Sequence, residues 1–134
     1  MKFRMLLWYM ARRMDLLART HPEFIAKLHG RDFVIQISTD EETHRFFRVR
    51  HNRVESHRSV YPEPDLTMHF INNDVAFRLL SKGAADDFMA AVQAQEVRLI
   101  GDYALLMWFM GIGKYLRSAR RVRSGREAES RAAG

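Results

Sequence analysis

The chain contains no cysteine, and only three prolines and seven glycines in 134 residues. Without cysteine, a disulfide scaffold, cysteine-ligated zinc and thiol catalysis are all excluded. Long hydrophobic runs are missing too. The uncharged stretch near the start, Met5 to Ala11, is seven residues long and is ended by Arg12 and Arg13. No small-residue cleavage site follows it, so it reads as part of the mature fold and not as a secretory signal. The apolar run Tyr103 to Gly113 has eleven residues, too few for a bilayer that needs about 20 helical residues, and no transmembrane segment is expected. There is no Gly-x-Ser-x-Gly elbow. Gly111-Ile112-Gly113-Lys114 lacks the spacing and the strand-to-helix turn of a phosphate loop.

What is present is a hydrophobic fraction of 47% with 11% aromatics, which excludes a disordered chain. The length suits one domain with a real core. The net charge is +6, but it is unevenly placed. Residues 1–31 hold seven basic and two acidic side chains, residues 32–113 hold eight and twelve, and residues 114–134 hold seven and two. An acidic middle therefore lies between two basic ends. Nucleic acid and anionic lipid are the usual partners of a basic balance. Aromatics do not interleave with the C-terminal arginines and no nucleic-acid module is present, which argues against nucleic acid.

The periodicities give an element order. Phe3, Leu7, Met10, Met14 and Leu17 form a helical stripe, with Arg4, Trp8, Arg12, Asp15 and Arg19 on the far side. Thr20-His21-Pro22-Glu23 has the form of a capping box, with Thr20 accepting from the Glu23 N–H, opening a short helix through Leu28. Alternation then predicts strands at Phe33–Ser38, at about 43–50, at about 54–60 and at Leu66–Phe70, with His51-Asn52-Arg53 as a tight hairpin. Asn72-Asn73-Asp74 caps a helix that stops near Gly83, and Asp86-Asp87 opens another. Val97–Ile100 predicts a fifth strand, and Asp102 caps a last helix to about residue 123. The fold class is α+β, a curved, mainly antiparallel five-stranded sheet covered by helices. Residues 1–30 read as N-terminal amphipathic helices, 31–123 as the main domain and 124–134 as a disordered basic tail.

Four pieces stand in a telling order: Pro64-Asp65-Leu66-Thr67-Met68-His69-Phe70, a helix with Val75-Ala76-Phe77-Arg78-Leu79-Leu80, the segment Asp87 to Asp102 ending in Leu99-Ile100-Gly101-Asp102, and a closing apolar helix. Over residues 31–116 this resembles the sterol carrier protein (type-2 sterol-binding) domain family. One departure is Gln93-Ala94-Gln95, where the family often has a small-residue turn with Gly. The resemblance implies a non-catalytic domain without a cofactor. It further implies an apolar tunnel between sheet and helices, holding a fatty acyl, sterol-like or isoprenoid chain. Some bacterial relatives are accessory proteins of ubiquinone synthesis. The candidate lining residues are Phe77, Leu80, Phe88, Met89, Val92, Leu105, Trp108, Phe109 and Ile112.

The last helix is apolar all round in its first half. Leu105, Phe109, Ile112 and Leu116 share one side; Tyr103, Met107 and Met110 lie opposite with Lys114, Arg117 and Arg121. Core, ligand, membrane or a second subunit must cover it, so a homodimer or a lipid-enzyme partner joins the expected partners. Trp8 between Arg4 and Arg12 suits a bilayer interface, or stacking on an arginine. Arg4, Trp8, Arg12, Lys114, Arg117 and Arg121 are accordingly the expected contacts with an anionic membrane. The expected location is cytoplasmic and peripheral to the membrane. The alternative function is an accessory or scaffold subunit of a lipid- or ubiquinone-synthesis complex, docked through the last helix.

Other residue types point to no catalysis. None of the six histidines shows metal-ligand spacing on a helix, although His57 and His69 sit on strands. Ser38, Ser56, Ser59 and Ser81 have no base nearby in sequence, and Asp86-Asp87 suits capping better than paired acid–base work. Arg45, Arg48, Arg50, Arg53 and Arg58 are split across both strand faces with Glu55 among them, which predicts a solvated sheet surface.

Overall fold

The computed structural model describes residues 2–113, 115 and 116. Its order is α1 (Lys2–Thr20), α2 (Pro22–Leu28), β1 (Phe33–Thr39), β2 (His44–Arg50), β3 (Arg53–His57), β4 (Leu66–Phe70), α3 (Asn73–Lys82), α4 (Ala85–Gln93) and β5 (Val97–Gly101). A last helix, α5, holds residues 103–113 and 115–116. This is the expected α+β arrangement. The open sheet has the order β3-β2-β1-β4-β5. Only the central β1–β4 pair is parallel; the other three pairs are antiparallel.

Local chemistry explains most boundaries. Asn72 caps α3 by accepting from the Val75 N–H at 2.8 Å, and Gly83 ends it in the left-handed conformation. His51 and Asn52 both have positive φ, as a two-residue hairpin turn between β2 and β3 requires. Gln95, the last residue of the Gln93-Ala94-Gln95 segment, also adopts positive φ. The start of α2 differs from expectation. The Thr20 hydroxyl donates to the Leu16 carbonyl at 2.9 Å, so Thr20 closes α1. His21 caps α2 instead, its Nδ1 accepting from the Phe24 N–H at 3.3 Å. The third strand also ends at His57, not at residue 60, because the chain there leaves the edge to reach β4 on the far side of β1.

That crossing passes over the sheet face turned away from the helices. Gln36, on β1, fastens it. Its amide nitrogen donates to the carbonyls of Ile37, Arg45 and Ser59 at 3.2–3.3 Å, and its carbonyl accepts from the Tyr61 N–H at 2.8 Å. Phe46 packs in tilted contacts against the His57 and Tyr61 rings, at 5.1 and 5.2 Å between centroids. The segment 58–64 thus buries Val34, Gln36 and Phe46 and makes β1 buried along its whole length. Replacing Gln36 with leucine leaves two backbone groups of this crossing without partners. The expected cost is about 2 kcal/mol, read as a lower urea midpoint, with faster amide exchange at Tyr61.

The helix-facing side carries the main core. Phe33, Ile35, Ile37, Phe47, Val49, Leu66, Met68 and Phe70 meet the buried stripe of α1, with α3, α4 and α5 closing the layer. Phe70 sits edge-on to Phe3 of α1 and Phe88 of α4, at 6.4 and 6.2 Å between centroids.

One contact joins the two sequence motifs that frame this sheet. The Asp65 carboxylate accepts from the Val34 N–H at 2.7 Å, and the Asp65 N–H donates to the Val34 carbonyl at 2.9 Å. The Asp65 carbonyl in turn accepts from the Asp102 N–H at 2.9 Å, across Gly101. Asp102 then caps α5 through the Ala104 N–H. Pro64-Asp65 and Gly101-Asp102 therefore form one junction that aims α5 back over the sheet.

Candidate functional site

A cavity with a volume of about 570 Å³ lies among helices, within the roughly 300–1,000 Å³ typical of small-ligand sites. Its walls are Met5, Leu6, Trp8, Tyr9 and Met10 of α1, Phe77, Leu80, Ser81 and the capping Gly83 of α3, and Phe109, Met110, Gly113 and Leu116 of α5, with Lys2 at one end. The side chains are aliphatic, aromatic or thioether, apart from Lys2, Ser81 and the Tyr9 and Trp8 polar tips. Three sequence-remote helices converge here because each presents its buried stripe to the same sheet. Met5, Trp8 and Tyr9 are exposed, so the cavity opens to solvent along α1. Methionines suit such a wall, since the thioether chain adapts to irregular apolar shapes.

Among the residues the sequence singles out as lining, Phe77, Leu80 and Phe109 stand in this wall. Phe88, Leu105 and Ile112 are buried in the core beneath it, with Val92 packed against that core. Met89 is exposed on α4. Trp108 packs edge-on against Phe33 at 4.7 Å and donates its indole N–H to the Lys27 carbonyl at 3.1 Å, pinning α5 to α2. No strand residue lines the cavity; a tunnel between sheet and helices is not shown. Met5, Leu6, Tyr9 and Met110 line the cavity although sequence patterns did not single them out as lining. The signal for them was on α1, where Met5 and Tyr9 accompany Trp8 on a side that also carries arginines.

Trp8 is 57% exposed, and the Arg12 guanidinium lies 5.6 Å from its ring centre. Arg4 is also exposed. Lys114, Arg117 and Arg121 lie outside the described residues. On α5, Tyr103 and Met107 are exposed, the latter at 68%, so among the described residues only one side of this helix is covered. Among the described residues, no helix is long and apolar enough to cross a membrane.

Two expectations about polar residues need correction. Ser38 does have a base, supplied by a different strand. Ser38 Oγ lies 2.7 Å from His69 Nδ1, and His69 Nε2 lies 2.5 Å from Asp40 Oδ1. The carboxylate accepts from Nε2, while the direction of the Ser38–Nδ1 bond depends on the tautomer of the ring. Register brings Ser38 opposite His69 on the parallel pair. Ser38 is 7% exposed, and neither the helix-walled cavity nor the two smaller ones near β2 and β3 is lined by any member of the trio. The chain of bonds ties the end of β1 to β4. The second correction concerns Arg45, which is buried and not part of a solvated surface: it faces the helices opposite Ile37. Arg50 pairs with Glu55 at 3.4 Å, and Arg48 lies over the Tyr61 ring.

No protein-family model matches the chain, and no curated protein matches it. Solved structures do. A structure titled UbiJ-SCP2 ubiquinone synthesis protein is similar at a TM-score of 0.63 and 13% identity, covering 84% of this chain and 96% of its own. The sterol carrier protein domain 2 of Helicoverpa armigera is similar at 0.59 and 11% identity, covering 82% and 86%. The sec-alkylsulfatase Pisa1 from Pseudomonas sp. is similar at 0.53 and 19% identity, over 65% of this chain but only 14% of that enzyme. These likenesses place the chain in one architecture: its fold is that of the sterol carrier protein 2 domains.

Proposed function

We propose that the chain is a lipid-binding and lipid-carrying domain. The observation that carries this reading is the apolar cavity of about 570 Å³ walled by α1, α3 and α5, in a fold similar to the sterol carrier protein domain of Helicoverpa armigera. A fatty acyl, sterol-like or isoprenoid quinone-type chain would enter past Met5, Trp8 and Tyr9. Each buried methylene contributes about 0.8 kcal/mol, so a chain of ordinary length supplies micromolar binding without directional contacts. In this reading the domain binds and carries and does not catalyse. Exposed Trp8, Arg4 and Arg12 on α1 would meet an anionic membrane surface while the ligand moves, as an amphipathic indole beside cations favours.

The test is native mass spectrometry of the purified chain with lipid extraction, followed by titration with fluorescent fatty acids, sterols and quinones. The expected result is an apolar ligand carried through purification, and saturable exchange for at least one class. Protein that carries no lipid and binds none of the three classes overturns the proposal.

A second reading rests on the exposed Tyr103 and Met107 together with the similarity to a ubiquinone synthesis protein. In it the chain is an accessory subunit of a lipid- or ubiquinone-synthesis complex, docked through α5. Sedimentation at several concentrations separates the two: a strict monomer carrying lipid removes the homodimeric form of this reading.

A further inference from the structure

A second cavity, of about 280 Å³, lies on the other flank of α1 and has the opposite chemistry. It is lined by Arg4 and Leu7 of α1, by Glu42 and Thr43 of the turn before β2, by His44 and Arg45 of β2, and by Arg58 just past β3. Three arginines thus line one small space together with a single acidic residue, Glu42.

Arg45 is the unusual member. It is 7% exposed, and its side chain donates to a neutral acceptor, from Nη1 to Ser56 Oγ at 2.6 Å. Among the described residues, Arg4, Arg45 and Arg58 form no ion pair with any carboxylate. A buried, uncompensated charge costs several kcal/mol, and guanidinium cannot escape that cost by losing its proton in any ordinary pH range. Burial, and then the neighbouring Arg58, push the Arg45 pKa below its usual value. Thr43 Oγ1, on a side chain 4% exposed and close to Arg45 in the chain, also lacks a partner among the described residues. A cavity lined by three arginines that no carboxylate of the described residues pairs has the makings of a site for an oxygen-rich anion.

We propose that this cavity binds a phosphate-type oxyanion, either a free phosphate or diphosphate or the phosphate of a lipid headgroup. The planar forks of Arg45 and Arg58 suit two oxygens of a tetrahedral anion. Arg4 closes the site from α1. Glu42 also lines the cavity, and its carboxylate leaves the three arginines with a net charge of +2. The site is separate from the lipid cavity and does not depend on it, although the first two turns of α1 line both.

The experiment follows the melting temperature and binding heat of the full chain in a non-coordinating buffer at constant ionic strength. Inorganic phosphate and diphosphate form one arm. Phosphatidylcholine vesicles with and without phosphatidic acid form the other. Wild type is expected to show saturable stabilisation by phosphate or diphosphate, or selective binding to the phosphatidic acid vesicles; the responding arm identifies the source. Arg58→Gln, at an exposed position, should weaken that response at least tenfold. Arg45→Met keeps the stem and removes the charge. It should be no less stable than wild type in phosphate-free buffer and should give no response. A wild type that responds in neither arm overturns the proposal, as does a response that Arg58→Gln retains in full or that chloride at equal ionic strength reproduces. If Arg45→Met does not fold, Arg58→Gln decides alone. Fatty acid binding, read separately, is expected to survive Arg58→Gln, so failure here and failure of the lipid reading are distinguishable.

Discussion

Substituting alanine for Gly101 is expected to remove about 3–4 kcal/mol of stability, a large part of the margin of a typical small domain. Gly101 has φ of +118°, and a Cβ there would lie 2.2 Å from the Asp65 carbonyl oxygen and 3.0 Å from its carbon. Both are backbone atoms, and that oxygen already accepts from the Asp102 N–H, so no side-chain movement relieves the clash. Strain at such a φ contributes about 1–3 kcal/mol and forced displacement of packed backbone a similar amount. The consequence reaches beyond β5, since the displaced junction carries the cap of α5, and α5 is one wall of the lipid cavity. Urea unfolding checks the size of the effect, and lipid binding at low temperature should fall with it. Gly111 supplies the contrast. It lies within α5, and a methyl group added there would meet nothing within 4 Å, so Gly111→Ala should stabilise by about 0.5–1 kcal/mol through helix propensity alone. Equal effects at the two positions would show that the Asp65–Gly101 junction is not what holds the two motifs together.

The second large effect concerns the cavity itself. Ser81 lines it from the last turn of α3 and is only half-buried, so a larger side chain can turn into the space without displacing core. Ser81→Trp should occupy room otherwise filled by about three methylenes of a ligand. At about 0.8 kcal/mol each, that loss is about 2.4 kcal/mol, or roughly 50-fold in affinity. Global stability should change by less than about 1 kcal/mol. Met89→Gln tests the opposite expectation. Met89 is exposed on α4 and does not line the cavity, so its replacement should leave lipid affinity within twofold. Displacement of a fluorescent fatty acid measures both variants. Unchanged affinity in Ser81→Trp would place the ligand elsewhere in the molecule.

The contrast between Leu80 and Met89 shows how far the sequence could be read. Both are apolar residues of consecutive helices, and both stand out equally as candidate lining. Period and spacing place each on a helix face, but not on a particular neighbour. Leu80 meets α1 and α5 across the cavity, whereas Met89 faces solvent. The capping of α2 failed for a related reason. Thr20 and His21 compete for the same role, and the hydroxyl found a closer acceptor in the preceding turn of α1. Arg45 is the sharpest case. Strand alternation only splits the five arginines between two faces; the register that sets Arg45 opposite Ile37, and the packing that removes it from water, come from the tertiary structure.

The sequence by itself determined the elements, their order and the fold class. Those depend on short-range physics: period 2 or 3.6, turn residues at His51-Asn52, and caps at Asn72, Gly83 and Asp102. It also determined that charge is concentrated at the two ends, beside the most apolar helices. Only the tertiary structure decided which apolar residues surround an empty volume and which fill the core. The same holds for Ser38 finding His69, and for a buried arginine facing two more without a counter-ion. Each of these is a contact between segments roughly 10 to 100 residues apart in the chain, set by sheet register and helix docking. Register and docking minimise the free energy of the whole fold, and no local pattern carries that information.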